Sequence, residues 1–304
     1  MCGLAGVSRA SFYRSWEERE PDLAAMELRD AVHKACAGHR RRGHRPVTEL
    51  LRREGWKAGK DKVLSVMRED NLLAVRRRRF VATTDSGHDF EVHPNLARHL
   101  KLSDRDQLWV ADLTYVRLAA EFVFCAAVLD AHSRMVVGWA VGRQLDHSLP
   151  LEALNRAIEL RRPAGGLVHH SDRGSQYACS TYTDRLKQVG AVISMSRPGR
   201  PWENGKCESF IKTLKAEEID ARTYRTLEEL SGNIGEFIGQ TYNKTRLHSA
   251  LQYLSPEEFE AAEAARRTVP ADAVGAVPDW LPAAFRFSGR RELADPARSQ
   301  GVGR

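Results

Sequence analysis

Three apolar segments that follow one another between residues 108 and 142 constrain the fold more than any other part of the chain. The first, LWVADLTYV (108–116), alternates in polarity, as a strand does when one side faces a core. FVFCAAVLD (122–130) and RMVVGWAVG (134–142) are more continuously apolar, and a short polar turn separates them. Together the segments predict a three-stranded meander.

Helices and strands alternate after the meander. Apolar residues at helical spacing predict helices at about 148–161 and 175–189, and the short segments GLVHHS (166–171) and AVISMS (191–196) predict strands. A loop rich in Pro and Gly, residues 197–205, then leads into another helix. Three strands followed by alternating helices and strands predict an α/β domain with a mixed sheet.

The first third of the chain has a different character, being basic and helical. Residues 46–70 contain two short amphipathic helices around a Gly-containing turn, and the second helix is basic. This is the outline of a helix-turn-helix, although a plain helical hairpin without DNA contacts has the same pattern. The arginine run that follows favours phosphate binding over a solvated linker. We therefore assign DNA contacts to Lys60, Lys62, Arg76, Arg77, Arg78 and Arg79.

Charge is distributed unevenly along the chain. Residues 1–103 hold 21 Lys and Arg against 14 Asp and Glu, whereas residues 104–304 hold 26 of each, so the whole net charge of +7 lies in the first third. This distribution predicts an anion-binding front end. The longest apolar run has eight residues, far below the ~20 of a membrane span, so we expect no membrane partner. Five scattered cysteines are typical of a reducing cytosol, and we expect a soluble intracellular protein.

Three acidic residues occupy unusual positions in this layout. Asp112 lies inside an apolar strand, and Asp172 lies just past the end of another. Glu208 falls in the first turn of its helix if Asn204 is the N-cap. Any one of them alone is explained by a cap or a salt bridge. Brought together, carboxylates repel one another and need a shared proton, a basic side chain or a metal ion, and oxygen-only sites suit Mg²⁺ or Mn²⁺.

Five motifs run in order along the rest of the chain: WVADLTYV, LDAHSRMVVGW, HHSDRGSQY, SMSRPGRPWENGKCESFIKTLK and YNKTRLHSAL. In sequence and order they resemble the DDE transposases of bacterial insertion sequences, in particular the OrfB type of the insertion-sequence-three family. The catalytic core of that family is similar to retroviral integrases. Asp112, Asp172 and Glu208 match the family triad one by one. Between the last two lie 35 residues (173–207), the spacing in the family's D,D(35)E description.

The resemblance implies a ribonuclease-H-like fold, a mixed five-stranded sheet with flanking helices, preceded by an all-α helix-turn-helix domain. It places Asp112 on the first strand, Asp172 after the fourth and Glu208 on a later helix, where they hold two Mg²⁺ (or Mn²⁺) ions. One ion activates water, and later a DNA 3′-hydroxyl, while the other stabilises the leaving oxygen. Two positions depart from the family: Glu203 stands where Asp is more common, and Cys207 where Ala is common.

Residues around the triad are assigned supporting roles. Lys212 and Lys215 follow Glu208 by four and seven positions, so the three share one helix face. We assign the two lysines and Arg200 to DNA phosphates, although an ordinary i,i+4 salt bridge on the surface is the alternative. Three further residues are interpreted as support for the triad: Asp130, His170 and Asn204.

The expected function is a transposase that binds the terminal inverted repeats of an insertion sequence and catalyses metal-dependent DNA cleavage and strand transfer. Its expected partners are double-stranded DNA, further copies of itself on DNA, and an upstream-frame helix-turn-helix protein or a fusion with one. The expected location is the bacterial cytoplasm, at the nucleoid. A non-enzymatic helix-turn-helix regulator is the main alternative, and a glycosidase with two working carboxylates is a second.

These assignments divide the chain into five parts. A helical DNA-binding region is expected at 1–80, with the helix-turn-helix at about 40–75. The remaining parts are a linker (81–103), an integrase-like catalytic core (104–220), a C-terminal helical extension of the core (221–265) and a flexible tail (266–304).

Overall fold

The chain forms two compact units, Met1–Arg77 and Arg78–Arg304, each with a hydrophobic core of its own. The structure is a computed structural model, and it describes residues 8, 22–38, 42–73, 90–198 and 200–268. The arginine run 76–79 and almost all of the predicted tail lie outside the described residues.

Three helices make up the described part of the first unit: α1 (Leu23–Gly38), α2 (His44–Arg53) and α3 (Lys60–Glu69). Helices α2 and α3 confirm the predicted pair. The chain leaves α2 through Gly55, whose φ of 91° is a conformation that favours glycine. Val32, Leu51 and Met67, one from each helix, are fully buried in the core of the unit. Helix α1 therefore completes a core that the two shorter helices do not form alone.

A five-stranded sheet forms the centre of the second unit. Its spatial order is β3-β2-β1-β4-β5, in which β1, β2 and β3 pair antiparallel, β4 pairs parallel with β1, and β5 pairs parallel with β4. The arrangement confirms the predicted meander and the mixed five-stranded sheet. The strands are β1 (Leu108–Arg117), β2 (Phe122–Asp130), β3 (Val136–Gly142), β4 (Val168–Ser171) and β5 (Val192–Met195).

Helices of the second unit lie on both faces of this sheet. They are α4 (Ser148–Arg161), α5 (Ser175–Ala178), α6 (Ser180–Gln188), α7 (Gly205–Glu217), α8 (Leu227–Glu236) and α9 (Pro256–Thr268). The single helix expected at about 175–189 was wrong, because Cys179 adopts an extended conformation (φ −65°, ψ 151°) between α5 and α6. A π-helical segment, Phe237–Tyr242, continues α8. In the described part of the chain, no helix combines the length and apolarity needed to cross a membrane.

The sheet separates two hydrophobic cores because alternate residues of a strand face opposite sides. Trp109 and Ala111 of β1 belong to the core shared with α4 and α6. Val110 and Val116 belong to the core shared with α7 and α8. Asp112 has the same parity as Val110 and therefore lies on the side covered by α7.

Segments outside the predicted core are held firmly against it. The backbone N–H of Leu96, in the predicted linker, donates to Ser194 Oγ of β5 at 2.9 Å. In the C-terminal extension, the amide side chain of Asn243 accepts from the Val136 N–H at 3.0 Å and donates to the Val136 carbonyl at 3.1 Å. Asn243 thus pairs with the start of β3 as a neighbouring strand would, which is a structural role.

Helix α4 packs so closely on β3 that Gly138 has no room for a side chain. A Cβ there would overlap the carbonyl oxygen of Ala153 and lie 2.8 Å from Cβ of Ala157. We predict that Gly138→Ala lowers the free energy of unfolding by about 3 kcal/mol, as overpacking against backbone does. Gly232→Ala is the matched control, because nothing lies within 4 Å of that position on α8. Urea unfolding of both variants checks this; equal stabilities would contradict the tight contact.

Candidate active site

The two aspartates of the predicted triad lie on β1 and just after its parallel neighbour β4. β1 and β4 run parallel, with Val110 opposite His170. Asp112 follows Val110 by two residues, and Asp172 follows His170 by two, so both lie just beyond the point where the pairing of β1 with β4 ends. Parallel pairing therefore brings together two residues that are 60 positions apart in the sequence.

Local hydrogen bonds orient each aspartate. Asp112 Oδ1 accepts the N–H of Leu113 at 2.9 Å, and Asp172 Oδ1 accepts the N–H of Gly174 at 2.9 Å. Both side chains are partly buried. Each carboxylate is thus fixed by its own backbone while part of it stays accessible.

Helix α7 brings Glu208 to the same side of the sheet. The side chain of Asn204, just before the helix, donates from Nδ2 to the carbonyl oxygen of Ala111 at 2.8 Å, next to Asp112. Cys207 is fully buried, with its Sγ 3.9 Å from the carbonyl oxygen of Ala127, the residue opposite Asp112 on β2. Asn204 occupies the N-cap position, but its side chain makes no capping hydrogen bond. The prediction that the Asn204 side chain caps the helix is therefore wrong, because this side chain bonds to β1 instead.

The electrostatics of Asp112 follow from these neighbours. Burial, and then the charges of Asp172 and Glu208, raise the pKa of Asp112 from 3.8 to about 7, against the lowering effects of the Leu113 N–H and of Lys215. Asp172 and Glu208 are thus close enough to Asp112 for their charges to add to the effect of its burial.

The carboxylates are not assembled into a finished cage. Within the described residues, no group of three or more His, Cys, Asp or Glu side chains is placed so that it could hold a metal ion. Glu208 Oε1 instead pairs with Nζ of Lys212 at 2.9 Å. The donor set still suits a divalent cation such as Mg²⁺, because carboxylate oxygens are hard ligands and a cation would offset the repulsion that Asp112 meets from Asp172 and Glu208.

Sequence comparisons place this geometry in a family. Residues 103–201 and 189–256 each match the family described as Integrase core domain, and residues 24–80 match the HTH-like domain. The Transposase for insertion sequence element IS629 of Shigella sonnei is 34% identical over 270 residues, 86% of this chain and 90% of the relative. The chain belongs to the insertion-sequence transposases.

Two further similarities accompany this assignment. The transposase is 36% identical over 264 residues to the Insertion element IS600 uncharacterized 31 kDa protein of Shigella sonnei, which covers 85% of this chain and 97% of the relative. Among solved structures, the HTLV-2 integrase catalytic core domain in complex with magnesium aligns with a TM-score of 0.41 at 14% identity. That alignment covers 51% of this chain and 97% of the integrase core.

The two lysines that follow Glu208 in the transposase differ in their surroundings. Lys212 is exposed and forms an i,i+4 salt bridge with Glu208, the arrangement that was the alternative to a DNA contact. Lys215 is partly buried, and its Nζ lies 4.3 Å from the centre of the Tyr115 ring. Burial lowers the pKa of Lys215, while the charges of Asp220 and Asp112 raise it. Tyr115 is a neighbour that the sequence pattern did not single out.

Glu203 organises the loop in front of α7, and sequence analysis missed this role. Its Oε2 accepts Nδ2 of Asn95 at 2.7 Å and the N–H of Arg197 at 2.8 Å, and its Oε1 accepts Nε of Arg197 at 2.8 Å. These bonds, chiefly those from Arg197, lower the pKa of Glu203 to about 2. The only signal in the sequence was that Glu replaces the Asp more usual in the family.

Arg200, which we assigned to DNA phosphates, lies on the same loop. Its guanidinium lies 5.9 Å from the centre of the Trp202 ring, and Trp202 is 67% exposed.

Two of the residues interpreted as support have structural partners. Asp130 is fully buried and accepts the N–H groups of Asp106 at 2.6 Å and of His132 and Ser133 at 2.8 Å. It thereby shapes the turn between β2 and β3. His170 is buried with Nδ1 2.9 Å from Ser194 Oγ, and burial lowers its pKa to about 4, so the ring is neutral at physiological pH.

The raised pKa of Asp112 predicts a pH-dependent stability in the absence of divalent metal. Between pH 4 and pH 7 the folded state binds a proton at Asp112 that the unfolded state has lost, so the free energy of unfolding falls as pH rises through this window. Asp112→Asn removes this contribution. We expect the variant to gain on the order of 1 kcal/mol relative to wild type between pH 5 and pH 8.

Urea unfolding in EDTA at pH 5 and at pH 8 measures the difference in stability between wild type and Asp112→Asn. Asp184→Asn, an exposed carboxylate on α6 with a side-chain exposure of 61%, is the control and should follow wild type. Parallel pH profiles for wild type and Asp112→Asn would contradict the crowding of charge around Asp112.

Proposed function

We propose that this transposase cuts and joins DNA at a metal-dependent site formed by Asp112, Asp172 and Glu208. The observation that carries the proposal is that both aspartates follow the last paired residues of the parallel strands β1 and β4, Val110 and His170, by two positions. The bond from Asn204 to the Ala111 carbonyl, which anchors the Glu208 helix beside them, supports it. The family assignment gives the class of enzyme, a polynucleotidyl transferase.

Asp112 and Asp172 would bind the cation first, because they already lie side by side. Glu208 would complete the ligand set after leaving Lys212, an exchange that costs little since such an exposed pair contributes only about 0.3–0.5 kcal/mol. Mg²⁺ or Mn²⁺, as two ions per site, would supply charge neutralisation and activation of water or a 3′-hydroxyl for in-line attack on the phosphodiester.

The residues around the carboxylates would bind and orient DNA. Lys212, once released, points its ammonium from the same helix face as Glu208 and can contact a phosphate of the strand being cut. Lys215 reaches the site beneath Tyr115 and offsets part of the charge of Asp112. Arg200 and the exposed Trp202 offer a cation and a ring surface on the loop that Glu203 holds in place.

The first unit would recognise the element ends. Lys60 and Lys62 are exposed at the start of α3, the second helix of the helix-turn-helix pair, as contacts to DNA require. The arginines at 76–79, which lie outside the described residues, would add phosphate contacts. The same proposal includes terminal inverted repeats as the recognised DNA and self-assembly of the protein on DNA. It also includes an upstream-frame partner and a location at the bacterial nucleoid.

Cleavage and joining of a labelled duplex that carries the element end test this function. With Mg²⁺ or Mn²⁺ present, we expect Asp112→Asn, Asp172→Asn and Glu208→Gln each to lower the rate by about 10³-fold or more, since each removes several kcal/mol of charge stabilisation. DNA binding in EDTA should persist in all three variants.

Asp184→Asn and Glu159→Gln are carboxylate controls on exposed helix positions, and they should retain full activity. Wild-type rates of nicking and joining in Glu208→Gln would contradict the proposed site. DNA binding without any metal-dependent cleavage by the wild-type protein would instead support a non-enzymatic DNA-binding regulator.

A further inference from the structure

Arg134 stands in an unusual backbone conformation at the turn between β2 and β3. Its φ is 64°, in the left-handed region that side chains other than glycine rarely adopt. The N–H of Arg134 donates to the carbonyl oxygen of Asp130 at 2.9 Å, and the buried carboxylate of Asp130 fixes the same turn. The turn is therefore well braced, and Arg134 is held in one place by its backbone.

The guanidinium of Arg134 differs from those of comparable arginines in the second unit. Arg161, Arg197 and Arg246 each pair with a glutamate. Arg134 is also partly buried, yet its side chain makes no hydrogen bond or ion pair with any residue that the structure describes. Burial lowers its pKa, which reports the cost of removing the cation from water without a counter-charge.

Lys206 brings a second cation to the same turn. It lies in the first turn of α7, and its Nζ donates to the carbonyl oxygen of Ala131 at 2.8 Å. Ala131 lies three residues before Arg134 in the turn that Asp130 fixes, so both cations belong to the same turn. The nearby carboxylate of Asp130 is already occupied by backbone N–H groups.

The two cations are separate from the catalytic carboxylates. Lys206 precedes Glu208 by two residues, which places their side chains roughly 200° apart around the helix axis. An anion held by Lys206 and Arg134 would therefore lie across α7 from the Glu208 side, about the width of a helix away, ~10–12 Å. It would be a different group from the phosphodiester that reacts.

We propose that Arg134 and Lys206 form a binding site for a backbone phosphate of DNA, distinct from the phosphate that is cut. The proposal rests on the proposed function, since it assumes that DNA is the ligand. The planar fork of an arginine and the point charge of a lysine suit phosphate oxygens, and the shared turn already holds both cations in place. A second phosphate contact on the opposite side of α7 would fix the DNA relative to the catalytic helix.

The salt dependence of DNA binding tests the site. Each phosphate contact adds about 0.9 to the slope of log K against log salt concentration. In EDTA, with a fluorescent duplex carrying the element end, Arg134→Gln and Lys206→Gln should each lower the slope by about 1. Arg134→Lys should keep the slope. Arg156→Gln is the matched control, because Arg156 is an exposed arginine that pairs with Glu152, and its slope should equal that of wild type.

Folding of the variants is checked by urea unfolding. Arg134→Gly, which suits the positive φ, provides a second neutral variant that should show the same reduced slope as Arg134→Gln. Native stability with an unchanged slope in Arg134→Gly and Lys206→Gln would overturn the proposal. The proposal would also be overturned if these variants kept the wild-type salt slope but lost self-association in sedimentation. The two cations would then pair with a carboxylate of a second copy of the chain.

Single methylphosphonate substitutions in the duplex locate the contact. In wild type, one neutral linkage other than the scissile position should weaken binding, and in Arg134→Gly the same linkage should have no effect. A failure of the proposed function gives a different result. In that case Asp112→Asn still cleaves DNA, while the Arg134 and Lys206 variants still show the reduced salt slope. Equal methylphosphonate profiles for wild type and Arg134→Gly would contradict the phosphate site.

Discussion

The parallel pairing of β1 with β4 is the constraint on which the rest of the site depends. It brings Asp112 and Asp172 together where the pairing of the two strands ends, so that the charge of Asp172 acts on the partly buried Asp112. The antiparallel partner β2 then provides the surface on which α7 packs through Cys207. Every other feature of the site either delivers a third carboxylate to this place or limits the repulsion there.

Some residues around the aspartates fix the position of α7, and others offset the negative charge. Asn204 and Glu203 fix the start of α7, the first through the Ala111 carbonyl and the second through Arg197. Lys212 and Lys215 offset the acids, one by pairing with Glu208 and one from beneath Tyr115. Within the described residues, the carboxylates are therefore near one another but do not form a complete ligand set.

Much of this could be predicted from the sequence, because strand periodicity and motif order depend on local patterns. The meander, the mixed sheet, the place of Asp112 inside β1 and that of Asp172 just after β4 followed from them. Contacts between distant side chains could not be predicted: nothing local indicates that Asn204 bonds to β1 rather than capping its helix. The break at Cys179 and the surroundings of the Arg134 guanidinium, which pairs with no residue in the described part of the chain, likewise depend on the three-dimensional structure.

We expect the carboxylates of Asp112, Asp172 and Glu208 to form a site for a divalent cation. The free energy of unfolding at pH 8, measured as a function of Mg²⁺ or Mn²⁺ concentration, tests this. Binding to the folded state alone would raise this free energy in wild type by about 1.4 kcal/mol at ten times the dissociation constant, and would leave Asp112→Asn unchanged. A wild-type stability that does not respond to either metal, or an equal gain in Asp112→Asn, would contradict the account.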